Sequence, residues 1–328
     1  MHHCKVLLTF SLIWLAPCGQ GQTPAAEEGG TPPSIAALFR DLPLEPAAVD
    51  TLREAIQERQ YGPAEAALLR ETERNPKSPV LFKLLGAILF LDGQYLQSAV
   101  ALKKSEALAP LDSQTRFTLA MAYVKLGRND WARTELENLA SSNGRDARYP
   151  YWLSRLDYHD MNFAASLEEA RQALRADPRF AKAYESIGLS SEAVGNYADA
   201  IQAYKSAIEL GGNASPWPAM EMGALLLKLG RLDEAASYLR RSLDQEPRFP
   251  KAHFQMALLL EKQRKLPEAI GEFKQAGALD SSYPEPHYAL GRLLRTEGDE
   301  ESAAAEFKKF EELSRQQKSR ERLRKLSR

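Results

Sequence analysis

The chain has 328 residues, 44% of them hydrophobic, and its 43 lysine and arginine residues nearly balance its 44 aspartate and glutamate residues. The formal net charge of −1 argues against a protein whose whole surface binds a polyanion. Helix-forming residues (Ala, Leu, Glu, Arg, Lys) dominate and alternating runs of β-branched residues are absent, so we predict an all-α protein.

Residues 1–21 are predicted to be a secretory signal peptide. A lysine precedes the apolar run Val6–Ala16, and small residues follow it. This run is shorter than a membrane span. One alternative is a lipoprotein signal, because the chain before Cys18 resembles a lipobox, although the proline directly before that cysteine departs from the usual pattern. Another is an ordinary buried helix, which the polar linker 22–44 disfavours.

Both cysteines, Cys4 and Cys18, lie in this leader, so the mature chain is predicted to carry no thiol. Disulfides, thiolate metal sites and a cysteine nucleophile are then excluded from it. Such a chain suits an oxidising compartment. We therefore expect a secreted or periplasmic protein, or one anchored in a bacterial envelope membrane if Cys18 is lipidated.

A repeat follows the Pro- and Gly-rich linker and short lead-in at 22–44. One position recurs every 34 or 35 residues, and seven of its eight places hold a small residue: Gly86, Ala120, Ser154, Gly188, Gly223, Ala257 and Gly291. The first place holds Leu52. This marker is position 8 of each unit. The spacing predicts eight units over 45–317, namely 45–78, 79–112, 113–146, 147–180, 181–215, 216–249, 250–283 and 284–317.

Other positions keep the same period: an apolar residue precedes the marker, Ala or Ser stands twelve residues after it, and a glycine marks the turn between the two helices of most units. An interior helical glycine costs about 0.5–1 kcal/mol relative to alanine. A larger side chain at a close helix crossing costs about 1–3 kcal/mol. We therefore predict that two antiparallel helices cross closest at the marker.

The motifs also resemble a known family. His287-x2-Leu290-Gly291-x2-Leu294 followed by Ala303-x3-Phe307 is similar to the tetratricopeptide repeat, as is Tyr184-x2-Ile187-Gly188 with Ala200-x3-Tyr204. The units with Leu52 and Ser154 at the marker depart from the pattern. The resemblance implies a right-handed superhelical solenoid of stacked helix pairs, with first helices on the concave side and second helices on the convex side.

Common sequence motifs for phosphate binding and catalysis are absent: the sequence contains no phosphate-binding glycine loop, no HExxH helix and no GxSxG elbow. His253 and His287 occupy equivalent positions, but equivalent sites on stacked helices are roughly 8–10 Å apart, and zinc needs ligand nitrogens at about 2 Å. Asp157, His159 and Asp160 spread around a helix end. We predict no catalytic residue, no metal site and no cofactor.

The stripe expected to face the groove is unusually apolar and aromatic. Positions 5, 9 and 12 of the first helices point away from the second helix and should be polar if they only met water. They include Phe117, Met121, Tyr151, Arg155, Tyr158, Met220, Phe254, Tyr288, Arg292 and Arg295. Two interpretations remain open: these side chains bind a peptide or partner helix, since aromatic and Arg anchors dominate binding hot spots, or they seal neighbouring first helices together.

The final segment 314–328 has seven basic residues and one acidic residue, and we expect it to cap the last unit as a polar helix whose basic end spans 318–328. Contact with anionic lipid or nucleic acid is the alternative, and no nucleic-acid partner is expected.

The sequence thus predicts a non-enzymatic interaction protein that binds a protein or peptide partner. The alternatives are a membrane-tethered lipoprotein scaffold of envelope assembly or secretion machinery, and a regulatory subunit associated with an enzyme.

Overall fold

The computed structural model describes residue 44 and residues 46–326, which form sixteen α-helices and no strand. The predicted signal peptide 1–21 and nearly all of the linker 22–44 lie outside the described residues. The helices are α1 Pro46–Gln57, α2 Tyr61–Arg74, α3 Pro79–Leu91, α4 Tyr95–Leu108, α5 Ser113–Lys125, α6 Asn129–Ser142, α7 Arg148–His159, α8 Phe163–Ala176, α9 Ala181–Ala193, α10 Tyr197–Gly211, α11 Trp217–Lys228, α12 Leu232–Gln245, α13 Pro250–Lys262, α14 Leu266–Leu279, α15 Pro284–Thr296 and α16 Glu300–Leu326. Among the described helices, none has the length and apolar character needed to span a membrane.

Odd-numbered helices are the first helices of the units and even-numbered helices are the second. Each helix packs against the next one along the chain. First helices of neighbouring units also contact one another, as in the pairs α3 with α5, α7 with α9, and α11 with α13. The first helices therefore lie on the inner side of the array. These contacts confirm the predicted all-α solenoid of stacked helix pairs. The units depend on one another, because a single helix pair cannot bury its apolar face without its neighbours.

The marker residues lie at the closest approach between the two helices of a unit, as predicted. A Cβ atom built on Gly188 would lie 2.5 Å from Cδ1 of Tyr204, which stands sixteen residues later and is fully buried. Real Cβ contacts are not that short, so the ring occupies the space that glycine leaves. The equivalent pairs are Gly86 with Leu102, Gly223 with Leu239, and Gly291 with Phe307.

The fourth unit replaces the glycine contact with hydrogen bonds. Ser154, at the marker, lies 3.1 Å from the hydroxyl oxygen of Ser166 on the second helix, and Ser166 lies 2.7 Å from the hydroxyl oxygen of Ser190 on the next first helix. All three side chains are fully buried. A buried hydroxyl without a hydrogen-bond partner would cost free energy. The three serines avoid this cost because each one is hydrogen-bonded to another.

The turn inside each unit has one backbone geometry in all eight units. Five units place a glycine with positive φ at position 15, as at Gly195 with φ +82°. The other three place Arg59, Met161 and Arg264 there, with φ between 57° and 62°. A side chain in this left-handed region costs about 1–2 kcal/mol. The turn is therefore imposed by packing of the two helices, and Met161 departs from the sequence pattern without departing from the fold.

The single 35-residue unit absorbs its extra residue at the end of its second helix. Helix α10 has 15 residues, whereas the second helices before and after it, α8 and α12, have 14. Gly212 follows it with φ +57°. The helix crossing at Gly188 is therefore undisturbed, and the next unit starts in register.

The last helix extends beyond the repeat. Helix α16 runs to Leu326, past the predicted end of the last unit at 317. Ala303 and Leu313 are buried on its inner side. The described side chains of the segment after position 317 are exposed.

We expect Gly188→Ala to lower the free energy of unfolding by about 1–3 kcal/mol, because the added Cβ meets the Tyr204 ring. Gly271→Ala is the matched control. Gly271 lies inside α14 with no atom within 4 Å of a built Cβ, so that variant should gain about 0.5–1 kcal/mol. Chemical denaturation followed by circular dichroism measures both. Equal stability of the two variants would contradict the close crossing.

Candidate functional site

The inner face of the array is held together by polar links between consecutive first helices. Each link joins a charged side chain on one first helix to a carboxylate or carbonyl on a neighbouring first helix. Along the chain they are Arg155 to Glu185 at 3.9 Å, Lys228 to Glu192 at 3.4 Å, Lys262 Nζ to the Leu227 carbonyl at 3.2 Å, and Arg292 to Glu261 at 2.7 Å. These links run from α7 to α15, so one continuous groove is lined by five first helices. We call it the inner groove.

Four residues of the predicted stripe lie in the core. Phe117, Met121, Tyr151 and Met220 are between 1% and 8% exposed. The ring centre of Phe117 lies 5.6 Å from that of Tyr149, which stands in the first turn of the following first helix. These side chains therefore fill the contact between neighbouring units, which is the second interpretation that the sequence left open, and they shape the groove from behind.

The other six stripe residues reach solvent to different degrees. Arg155, Tyr158, Phe254 and Arg292 are half-buried, whereas Tyr288 is 50% exposed and Arg295 is exposed. Tyr288 packs beside Phe310 of the last helix, with ring centres 5.2 Å apart. The accessible part of the stripe therefore comprises residues of α7, α13 and α15.

Along α7, α9 and α11 the groove carries a cluster of side chains that includes three glutamates. Arg155 and Tyr158 of α7 face Glu185 and Glu192 of α9 and Glu221 of α11, and we call these five side chains the central acidic cluster. Glu192 also accepts a hydrogen bond from the hydroxyl of Tyr204 at 3.4 Å. Residues up to 66 positions apart along the chain thus share one site because three first helices stack side by side.

Burial controls the charges of this cluster. Burial first, and then the charge of Glu192, raise the pKa of Glu221 to about 8. Burial likewise raises the pKa of Glu185 and of Glu192, and it raises the pKa of Tyr158 to about 12. Burial alone would lower the pKa of Arg155, yet neighbouring groups, Tyr151 and Glu185 foremost, raise it. In this part of the groove the loss of water therefore favours the protonated form of the glutamates.

Sequence reasoning found Arg155 and Tyr158 but missed the acidic side of the cluster. Glu185 stands at a stripe position as a charged exception, Glu192 stands at position 12, and Glu221 stands at position 6, outside the predicted stripe. The available signal was the run of glutamates on the inner faces of two consecutive first helices. The burial of these glutamates, which makes the site unusual, depends on how the units stack.

The Asp157, His159 and Asp160 group has structural partners. Asp157 is buried and lies 3.0 Å from Arg133 of α6, which also contacts Asp160 at 3.2 Å. His159 Nδ1 lies 3.2 Å from the side-chain nitrogen of Asn129. These contacts hold the end of α7 to the preceding second helix.

His253 and His287 recur because each joins the two helices of its own unit. His253 Nδ1 lies 2.6 Å from Glu272, and His287 Nδ1 lies 2.7 Å from Glu306, nineteen residues later in each case. Arg116 and Glu135 make the same link in the third unit at 2.6 Å. Within the described part of the chain, no group of three or more His, Cys, Asp or Glu residues is placed to bind a metal ion.

The sequence model for the tetratricopeptide repeat matches residues 161–215, 220–284 and 256–317. These matches cover the second half of the array, where the Gly, Ala and aromatic positions are most regular. No curated protein sequence matches the chain.

Solved structures resemble large parts of the chain. A tetratricopeptide repeat protein from Parabacteroides merdae is 15% identical with a TM-score of 0.62 and covers 76% of this chain and 96% of its own. Yeast Tom70 is 13% identical with a TM-score of 0.62, over 86% of this chain and 66% of its own. Pseudomonas aeruginosa PilF is 20% identical with a TM-score of 0.54, over 59% and 88%. At these identities the likeness concerns the fold alone.

We expect Glu221→Gln to stabilise the protein at alkaline pH. The pKa of this carboxyl group is about 4.3 in the unfolded chain and about 8 in the folded protein. Between these pH values the unfolded state ionises more readily than the folded state, so the free energy of unfolding of the wild type falls as pH rises. It does not recover above pH 8. The variant, which cannot ionise, should exceed wild type by at least about 1.4 kcal/mol above pH 8, the equivalent of one pKa unit. The difference should vanish towards about pH 4.

Thermal melts at a series of pH values measure this difference. Glu209→Gln is the control, because Glu209 is exposed on the outer helix α10. A pH-independent difference between Glu221→Gln and wild type would show that burial of the carboxyl group does not govern its charge.

Proposed function

Because the chain belongs to the tetratricopeptide-repeat family, we propose that it is a non-enzymatic interaction protein whose inner groove binds a peptide segment or a partner helix. The fold itself is typical of protein–protein interaction scaffolds. Peptide binding in the groove is the finer part of the proposal, and it depends on the side chains of the first helices.

The observation that carries the proposal is the set of polar links along the inner groove. They fix the spacing of five first helices and leave Tyr158, Phe254 and Tyr288 partly accessible beside them. A rigid groove has little conformational entropy left to lose, so association orders only the partner. Accessible aromatic rings next to arginine are the residue types that contribute most to binding.

The groove also carries charged side chains that can select a partner. Arg292 makes two contacts of 2.7 Å with Glu261, while Arg295 lies over the ring of Phe307 at 5.2 Å and remains exposed. Charged groups at a binding surface set orientation and reject wrong partners more than they add affinity. An extended segment bound in the groove would therefore contact a series of apolar and charged side chains along the array.

We further propose that the protein acts outside the cytosol, because a lysine followed by the apolar run Val6–Ala16 has the layout of an export signal. Mass spectrometry of the mature N-terminus distinguishes the outcomes. A chain that starts near Gln20 or Gln22 is released, and a diacylglyceryl group on Cys18 indicates a tethered lipoprotein. A mature chain that retains residues 1–21 without a lipid would contradict export.

Groove binding is tested by blocking the groove with a label. Cys4 and Cys18 are the only cysteines, so replacing both with serine allows a single new cysteine to be labelled. We place it by Lys228→Cys, in the groove where the side chain is 53% exposed, and attach a bulky maleimide. The labelled protein should capture at least about tenfold less partner from a native envelope extract than the same protein without label.

The matched control is Glu209→Cys on the outer helix α10, labelled in the same way. It should capture the same partner as the unlabelled protein. If the label on the outer helix abolishes capture and the label in the groove does not, the partner binds the convex side and the proposed site is wrong.

A further inference from the structure

We propose that the central acidic cluster is a pocket for a basic side chain, a lysine or an arginine, of the segment bound in the inner groove. This inference rests on the proposed function and adds to it the chemistry of one partner residue. It concerns the part of the groove between α7, α9 and α11.

The first argument is the state of Glu221. Its residue is only 7% exposed, and within the described part of the chain no hydrogen bond or ion pair engages its carboxyl group. The charged groups that shift its pKa are Glu192, Lys251, Glu185 and Arg155. A carboxyl group without a partner in a buried position is unfavourable, and a cation from outside would satisfy it.

The second argument is that the cations of the protein are engaged elsewhere or held at a distance. Arg155 lies 3.9 Å from Glu185, and Lys228 lies 3.4 Å from Glu192. The ammonium group of Lys251 lies 5.2 Å from the centre of the Trp217 ring. Close ion pairs in the same protein are shorter, for example 2.7 Å between Arg292 and Glu261. Among the described residues, no cation therefore lies within ion-pair distance of the Glu221 carboxyl group, and Lys251 and Arg155 act on it only from further away.

The third argument is the shape of the ligand that would fit. Glu185, Glu192 and Arg155 keep between 16% and 24% of their side-chain surface exposed, so the cluster is partly accessible from the groove. No group of described residues is arranged to coordinate a metal ion. A long aliphatic stem can carry a charge at its tip to such a half-buried site, and Tyr158 offers aromatic surface to both the stem and the charge.

The titration of Glu221 gives the pocket a signature. Its pKa of about 8 is raised by burial and by Glu192 and Glu185, and lowered by Lys251 and Arg155; Tyr158 also faces it. A bound ammonium or guanidinium group favours the ionised carboxylate, so binding releases a proton below that pH. Affinity for a basic segment should therefore rise as pH increases towards about 8 and then level off.

The experiment uses a phage-displayed library of random peptides selected on the full-length protein. We expect enriched peptides to share a lysine or an arginine. One enriched lysine peptide is then remade with norleucine, which keeps the stem and lacks the charge. Fluorescence anisotropy compares both peptides on wild type, Glu221→Gln and the control Glu209→Gln.

The peptide change and Glu221→Gln should each weaken binding about tenfold, as expected for a hydrogen bond to a charged group. Combined, they should weaken it little more than either alone, because they remove the same contact. Glu209→Gln should bind like wild type, and Glu221→Gln should also lose the rise of affinity with pH.

Two results would overturn the pocket, and they are distinguishable from failure of groove binding. Enriched peptides without a basic residue, or independent effects of the two changes, reject the pocket while the groove remains a peptide site, provided that the label at Lys228→Cys blocks the peptide. If no peptide is enriched, or if that label leaves binding intact, the proposed groove function fails and the pocket fails with it.

Discussion

The close crossing of two helices inside each unit is the constraint on which the rest of the structure depends. In four units a glycine at the crossing faces a leucine, tyrosine or phenylalanine that stands sixteen positions later, as Gly188 faces Tyr204. This contact sets the distance between the helices, and the shared turn geometry at position 15 sets their direction. Because the pair repeats about every 34 residues, its geometry determines how units stack and which side chains reach the inner groove.

Stacking also explains why charges accumulate in the groove. Each first helix presents its inner face to the first helix before and after it, so side chains about 30 to 36 positions apart become neighbours, as Arg155 and Glu185 do, and Lys228 and Glu192. Some of these neighbours form polar links that join the units. Others, such as Glu221, are surrounded by protein without a close partner, and the loss of water raises the pKa of that group.

The sequence predicted the helix pairs and the marker crossings because both depend on short-range spacing within one unit. It also placed Met161 at a turn, although a bulky residue was unexpected there. It could not separate buried from accessible stripe residues. A first helix packs against its own second helix, the preceding second helix and two other first helices, so a helical wheel cannot tell Phe117 in the core from Tyr288 at the surface. Glu221 was missed because the orientation of position 6 depends on that same stacking.

The location of the acidic cluster follows from the stability of the array around it. In a repeat array each unit contacts only its neighbours, so the cost of burying poorly neutralised carboxyl groups falls on the units that carry them. These units are backed by an apolar core that includes Leu189, Tyr204, Met222, Leu239 and Leu259, each at most 6% exposed. Such a core offsets the electrostatic cost locally. The middle of the array can therefore keep a buried carboxyl group whose neutral form is favoured below about pH 8, and a cation bound beside it would shift that group towards its ionised form.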